Sequence, residues 1–137
     1  PSGEGAIRCM KEALKDTNQK VDYINAHGTS TPVGDMQELN AVREVFKESS
    51  YLPKLTSTKS LTGHSLGATG VQEAIYTLIM MNNNFISGSS NIDNDDPEIG
   101  SIEIPRKTIK EIEINLALSN SFGFGGTNAC LAFSKFN

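Results

Sequence analysis

The sequence predicts a layered α/β fold. Helix-like and strand-like segments alternate along the first part of the chain. One long apolar helix follows. The C-terminal part then closes with two strand-like runs joined by a glycine-rich link.

Each element can be justified in order. Residues 4–16 carry Ala6, Ile7, Met10, Ala13 and Leu14 at helical spacing, with Lys and Glu between them. A polar turn over 16–20 follows. Val21 to Ala26 is a short apolar run that fits a buried strand and delivers His27 at its end. After an irregular stretch with Gly28, Pro32 and Gly34, Asp35 is placed to cap a helix, with Glu38 at the capping-box position. Leu39, Val42, Val45 and Phe46 form that helix's apolar stripe. Lys54 to Thr58 reads as a second strand and leads into a glycine-containing loop. Ala68 to Met81 is the clearest helix. Val71, Ala74, Ile75, Leu78 and Ile79 make its apolar face so wide that burial on most sides is expected. Residues 82–101 read as a long polar loop. Ile112 to Ser119 and Thr127 to Phe133 read as strands, antiparallel across Phe122-Gly123-Phe124-Gly125-Gly126.

The 137 residues are one domain's worth, or a piece of a larger one. A net charge of −4 and the lack of a basic run argue against nucleic acid as a partner. No apolar run reaches membrane-spanning length. The opening Pro1-Ser2-Gly3-Glu4-Gly5, without an initiator Met or a signal peptide, reads as the interior of a longer protein. Cys9 and Cys130 lack metal-site or CxxC spacing and read as reduced structural thiols of a cytoplasmic protein.

The chain's two histidines are its chemical landmarks. His27 lies in Asn25-Ala26-His27-Gly28-Thr29-Ser30-Thr31-Pro32, and His64 lies in Gly63-His64-Ser65-Leu66-Gly67. The recurring setting suggests two imidazoles converging on one pocket. Several other chemistries match parts of the pattern. Gly63-His64-Ser65-Leu66-Gly67 fits the G-x-S-x-G elbow of an α/β-hydrolase with Ser65 as nucleophile. The elbow needs an apolar strand before it and a histidine after it, and neither is present. Gly123-Phe124-Gly125-Gly126 could cradle phosphate only if it opened a helix, yet strand-forming residues follow. Zinc would need more ligands than the two histidines with Asp35 and Glu38 in their neighbourhood. The plain alternative is two loop histidines satisfied by backbone groups.

Three stretches together carry a resemblance: residues 25–35, residues 57–68 from Ser57-Thr58-Lys59 onward, and residues 120–128, Asn120-Ser121-Phe122-Gly123-Phe124-Gly125-Gly126-Thr127-Asn128. In this order they resemble the β-ketoacyl-acyl-carrier-protein synthases, bacterial type I most and type II next. The similarity runs over essentially the whole chain. It implies the C-terminal portion of a thiolase-like fold, a mixed sheet flanked by helices. The resemblance further implies a five-stranded half-domain whose central first strand is absent here, which would leave a gap in the sheet and a chain that does not fold natively alone.

The resemblance also implies an activity. An acyl group passes from acyl carrier protein to a cysteine, malonyl-carrier-protein loses CO2, and the enolate attacks the acyl thioester. His27 and His64 match the pair that donates hydrogen bonds to the malonyl thioester oxygen. Lys59 matches the active-site lysine and Glu73 its glutamate partner. Thr29 and Thr31 match hydroxyls that contact the phosphopantetheine arm. The N–H of Phe124 matches an oxyanion donor, and the rings of Phe122 and Phe124 lie where the two substrate sites meet. Asn25, Glu73, Ser119 and Asn120 match the surroundings of a structural monovalent cation; no catalytic metal and no cofactor beyond the carrier's arm are implied. The family's nucleophilic cysteine has no counterpart here. The expected partners are acyl carrier protein, the N-terminal portion of the same enzyme and a second copy in a homodimer. The competing expectation is a non-catalytic, ketosynthase-like subunit for binding or chain-length control.

Overall fold

A computed structural model of the chain describes residues 2–136. A four-stranded sheet has the order β2-β1-β5-β6, with β1 at Tyr23–Asn25, β2 at Lys54–Thr56, β5 at Leu116–Phe122 and β6 at Asn128–Ser134. β1 runs parallel to both β2 and β5, and β6 returns antiparallel to β5. The expected gap is therefore not there. Tyr23, Ile24 and Asn25 pair on one side with Lys54, Leu55 and Thr56, and on the other with Ala117, Leu118 and Ser119. β1 is central and wholly buried, as a strand covered on both faces should be.

The pleat sorts side chains into two cores. Ile24, Leu116 and Leu118 face helices α1 (Glu4–Leu14) and α2 (Gly34–Val45), packing with Met10, Leu39 and Val42. Tyr23 and Ala117 face helix α4 (Thr69–Asn83) and pack with Met80, Met81, Ile86 and Ile114. Helices thus cover both faces of the sheet. Asn84, in the left-handed conformation, ends α4. In a two-stranded ribbon, β3 (Phe85–Ile86), inside the expected 82–101 loop, pairs with β4 (Ile109–Lys110), which lies between that loop and the expected strand from Ile112. Strand β5 starts at Leu116, later than the alternation from Ile112 suggests.

Two local expectations fail for identifiable reasons. No capping box forms. Asp35 accepts the N–H of Ser30, while Glu38 reaches away from its own helix end toward the loop after β1. The wide face of α4 is not buried either. The stripe against the sheet is Thr69, Glu73, Thr77, Met80 and Met81, so polar residues hold the inward positions. Val71, Ile75, Leu78 and Ile79 face outward, with Val71 66% exposed. Polar groups turn inward because buried Asn25 and Lys59 need partners there.

Candidate active site

The parallel strands β1, β2 and β5 end at the same edge of the sheet, where open α/β sheets place their sites. His27 follows β1 after Ala26. Thr58 and Lys59 follow β2 at the start of a short helix, α3 (Lys59–Thr62), which the sequence reading missed. Phe122 ends β5.

The rings of His27 and His64 stand 5.6 Å apart, nearly perpendicular, and the ring of Phe122 lies 6.2 Å from that of His27. The two sequence landmarks therefore do converge. They are held by different means. His64 is exposed but anchored through one ring nitrogen: Leu66 donates its N–H to Nδ1 at 3.1 Å, and Thr69 Oγ1 lies 2.9 Å from the same atom. A backbone N–H can only donate, so Nδ1 is the acceptor and neutral His64 carries its proton on Nε2. His27 is half-buried, and its Nδ1 is buried without a protein partner. Burial, with repulsion from Lys59 and His64, pulls the His27 pKa down to about 4. His27 is thus a neutral imidazole at physiological pH.

Lys59 and Glu73 form a buried ion pair, with side chains 5% and 2% exposed. Burial pushes the Glu73 carboxyl upward, and the Lys59 ammonium only partly offsets this. Asn25 links the pair to the sheet. Its amide donates to Glu73 O and Thr77 Oγ1, and its carbonyl accepts from Thr58. Thr29 and Thr31 line a cleft of about 700 Å³ that also borders Lys59 and His64. Thr31 Oγ1 accepts the N–H of Gly34. Phe124 lies on an exposed turn (Phe124–Gly126) with its ring fully open to solvent.

The residues matched to a monovalent cation are divided by the pleat. Asn25 and Glu73 meet on the α4 side, and Ser119 is the register partner of Asn25. The side chain of Asn120 turns to the opposite face, toward Glu38 and Met10. Glu73 Oε2 is buried without a hydrogen-bond partner, and an oxygen donor of this kind suits such an ion. Among the described residues, no group of three or more His, Cys, Asp or Glu is arranged for a metal.

Neither cysteine is an activated thiol. Burial raises the Cys9 pKa, and burial with nearby Cys9 and Glu38 pushes Cys130 to about 12. The hydrolase elbow does not form. A helix rather than a strand precedes Gly63, and His64 turns to Leu66 and Thr69 rather than to Ser65. One residue of this neighbourhood, Glu38, has a role other than the capping-box role its sequence position suggests. Its carboxylate accepts the N–H groups of His27 and Gly28. Nothing in the sequence separates it from an ordinary helix-start glutamate.

At this sheet edge, in a three-layer α/β frame, two converging imidazoles stand beside a buried lysine–glutamate pair. The chain belongs to the β-ketoacyl synthase family: residues 1–93 match the model of the "Beta-ketoacyl synthase, C-terminal domain". It is 53% identical over its full length to 3-oxoacyl-[acyl-carrier-protein] synthase 1 of Haemophilus influenzae, of which it covers 33%. It is 43% identical over 99% of its length to synthase 2 of Staphylococcus aureus, again covering 33%. The chain therefore spans about a third of the curated relatives it matches. Among solved structures, a type II polyketide ketosynthase in complex with its acyl-carrier protein superimposes with a TM-score of 0.90 at 31% identity, over 99% of this chain and 34% of that one. No helix among the described residues is long and apolar enough to cross a membrane.

Proposed function

We propose that the chain supplies the histidine half of a Cys-His-His site in a full-length β-ketoacyl-acyl-carrier-protein synthase. The enzyme condenses malonyl-acyl-carrier-protein with an acyl group held on a cysteine elsewhere in the protein. The histidine pair carries this reading, with rings 5.6 Å apart and His27 held neutral. When malonyl loses CO2, negative charge moves onto the thioester oxygen. Two neutral N–H donors aimed at that oxygen stabilise the enolate more than the ground state, which lowers the barrier. The enolate carbon then attacks the acyl thioester carbonyl, the cysteine thiolate leaves, and the β-ketoacyl product stays on the carrier.

The Lys59–Glu73 pair holds the base of the site. Thr29 and Thr31, in the cleft, suit the amides and hydroxyl of a phosphopantetheine arm, so acyl carrier protein is the proposed partner. The Phe124 N–H serves as oxyanion donor for the acyl thioester, and Phe122 and Phe124 border the two substrate sites. A monovalent cation held by oxygens of Asn25, Glu73 and Ser119, with the Asn120 carbonyl, has a structural role only. The enzyme works as a cytoplasmic homodimer without a cofactor of its own.

The test is malonyl-acyl-carrier-protein decarboxylation by the full-length enzyme. His27→Ala and His64→Ala are each expected to slow it by about 100-fold or more, the cost of losing one oxyanion donor. Rates near wild type in both would reject the assignment. A non-catalytic chain-length subunit would show no decarboxylation in the wild type.

A further inference from the structure

We infer that Glu38 is the positioning residue for His27, a role that rests on the condensing reading above. His27 has no side-chain anchor, because its Nδ1 is buried without a partner. Its ring must be held through its backbone and its packing. The backbone is held by Glu38. The N–H of His27 donates to Glu38 Oε1 at 3.0 Å, and the N–H of Gly28 donates to Oε2 at 2.9 Å. Asn120 Nδ2 adds a third donor to Oε1 at 3.1 Å.

Three donors and no acceptor point at one buried side chain. Only a carboxylate, acceptor at both oxygens, satisfies that arrangement. Burial raises the Glu38 pKa, and these same hydrogen bonds with the nearby Lys59 pull it back down. A glutamine of the same shape has one acceptor oxygen and one NH2 group. Its NH2 would face a backbone donor whichever way the amide turned, and the His27–Gly28 segment would move. His64, anchored through its own ring by Leu66 and Thr69, does not depend on Glu38.

The test is a double-mutant cycle in the full-length enzyme, read as the kcat of malonyl-acyl-carrier-protein decarboxylation. Glu38→Gln is expected to lower kcat by about 10- to 100-fold with little change in KM, the scale set by small misplacements at a reacting centre. In a His27→Ala background the same change is expected to cost less than about twofold, since the residue it acts through is gone. Equal losses in both backgrounds, or no loss in the first, would overturn the inference. If Glu38→Gln does not fold, Glu38→Asp enters the same cycle under the same criterion. The 15N shifts of the histidine rings give a second readout independent of rate: His27 moves in the variant and His64 does not. An unmoved His27 overturns the role. A wild-type rate in His27→Ala would instead sink the condensing assignment, and the ring shifts would still judge Glu38.

Discussion

Gly28 and Ser57 touch so closely that a Cβ on Gly28 would lie 2.8 Å from the Cβ of Ser57. Gly28 also has a φ of 28°, which side chains disfavour, and Ser57 Oγ donates to its carbonyl at 2.8 Å. Gly28→Ala is therefore expected to destabilise the protein by about 1–3 kcal/mol. Ser57→Gly, which removes the opposing Cβ, should restore part of that loss. Thermal unfolding of the two single variants and the double variant checks this; no recovery would show that the φ alone sets the cost.

Breaking the Lys59–Glu73 pair from one side leaves a buried charge alone. Glu73→Ala is expected to cost about 3–5 kcal/mol in urea unfolding. Replacing both residues, with Lys59→Met and Glu73→Leu, should cost clearly less while abolishing activity. If the double replacement is as destabilising as the single one, the pair's mutual neutralisation is not what matters.

His64 should tolerate glutamine better than asparagine. Glutamine can place its amide near the Nε2 position and keep a donor for the substrate oxygen. Asparagine reaches only the Nδ1 position, where Leu66 and Thr69 already sit. His64→Gln is expected to retain about tenfold more decarboxylation than His64→Asn, a fraction of one oxyanion donor's worth. The reverse order would place the working nitrogen at Nδ1.

The His27 imidazole should titrate near pH 4 by NMR, well below an ordinary histidine. Between the ordinary value of about 6.5 and pH 4, the unfolded chain binds a proton that the folded protein refuses. The associated stability is full above about 6.5 and is lost as pH falls through about 4. Glu38 and Glu73, whose pKa values are raised, act in the opposite direction. The informative quantity is thus the stability difference between wild type and His27→Ala across that window. A flat difference would mean that His27 titrates normally.

The 137-residue polypeptide produced by itself should bind a hydrophobic dye strongly and melt without a cooperative transition. Val71, Ile75, Leu78 and Ile79 line one outward face of α4, and Leu66 and Phe124 are exposed as well. A sharp melt with no dye binding would show that this face is tolerated in water.

The alternating order of elements was legible because buried strands and amphipathic helices have different periods. The histidine pair was legible because a scarce residue occurred twice in similar settings. The orientation of α4 was not legible. Its apolar residues outnumber its polar ones, yet Glu73 and Thr77 face the sheet to satisfy Asn25 and Lys59. That demand comes from residues 14 and more positions away in sequence, beyond any local pattern. Glu38 was hidden for the same reason, since its partners lie on another element. The gap implied by the resemblance is absent because β1 pairs directly with β5, and that pairing is a tertiary fact that sequence order does not contain.

The sheet acts as a ruler for the chemistry. Neighbouring strands lie about 4.8 Å apart because backbone hydrogen bonds allow little else. His27 leaves β1, Lys59 leaves the adjacent β2, and Phe122 closes the adjacent β5. The gauge of the site is therefore written in main-chain hydrogen bonds rather than in side chains. Substituting a side chain at this edge therefore leaves the spacing of the three strands that carry His27, Lys59 and Phe122 unchanged.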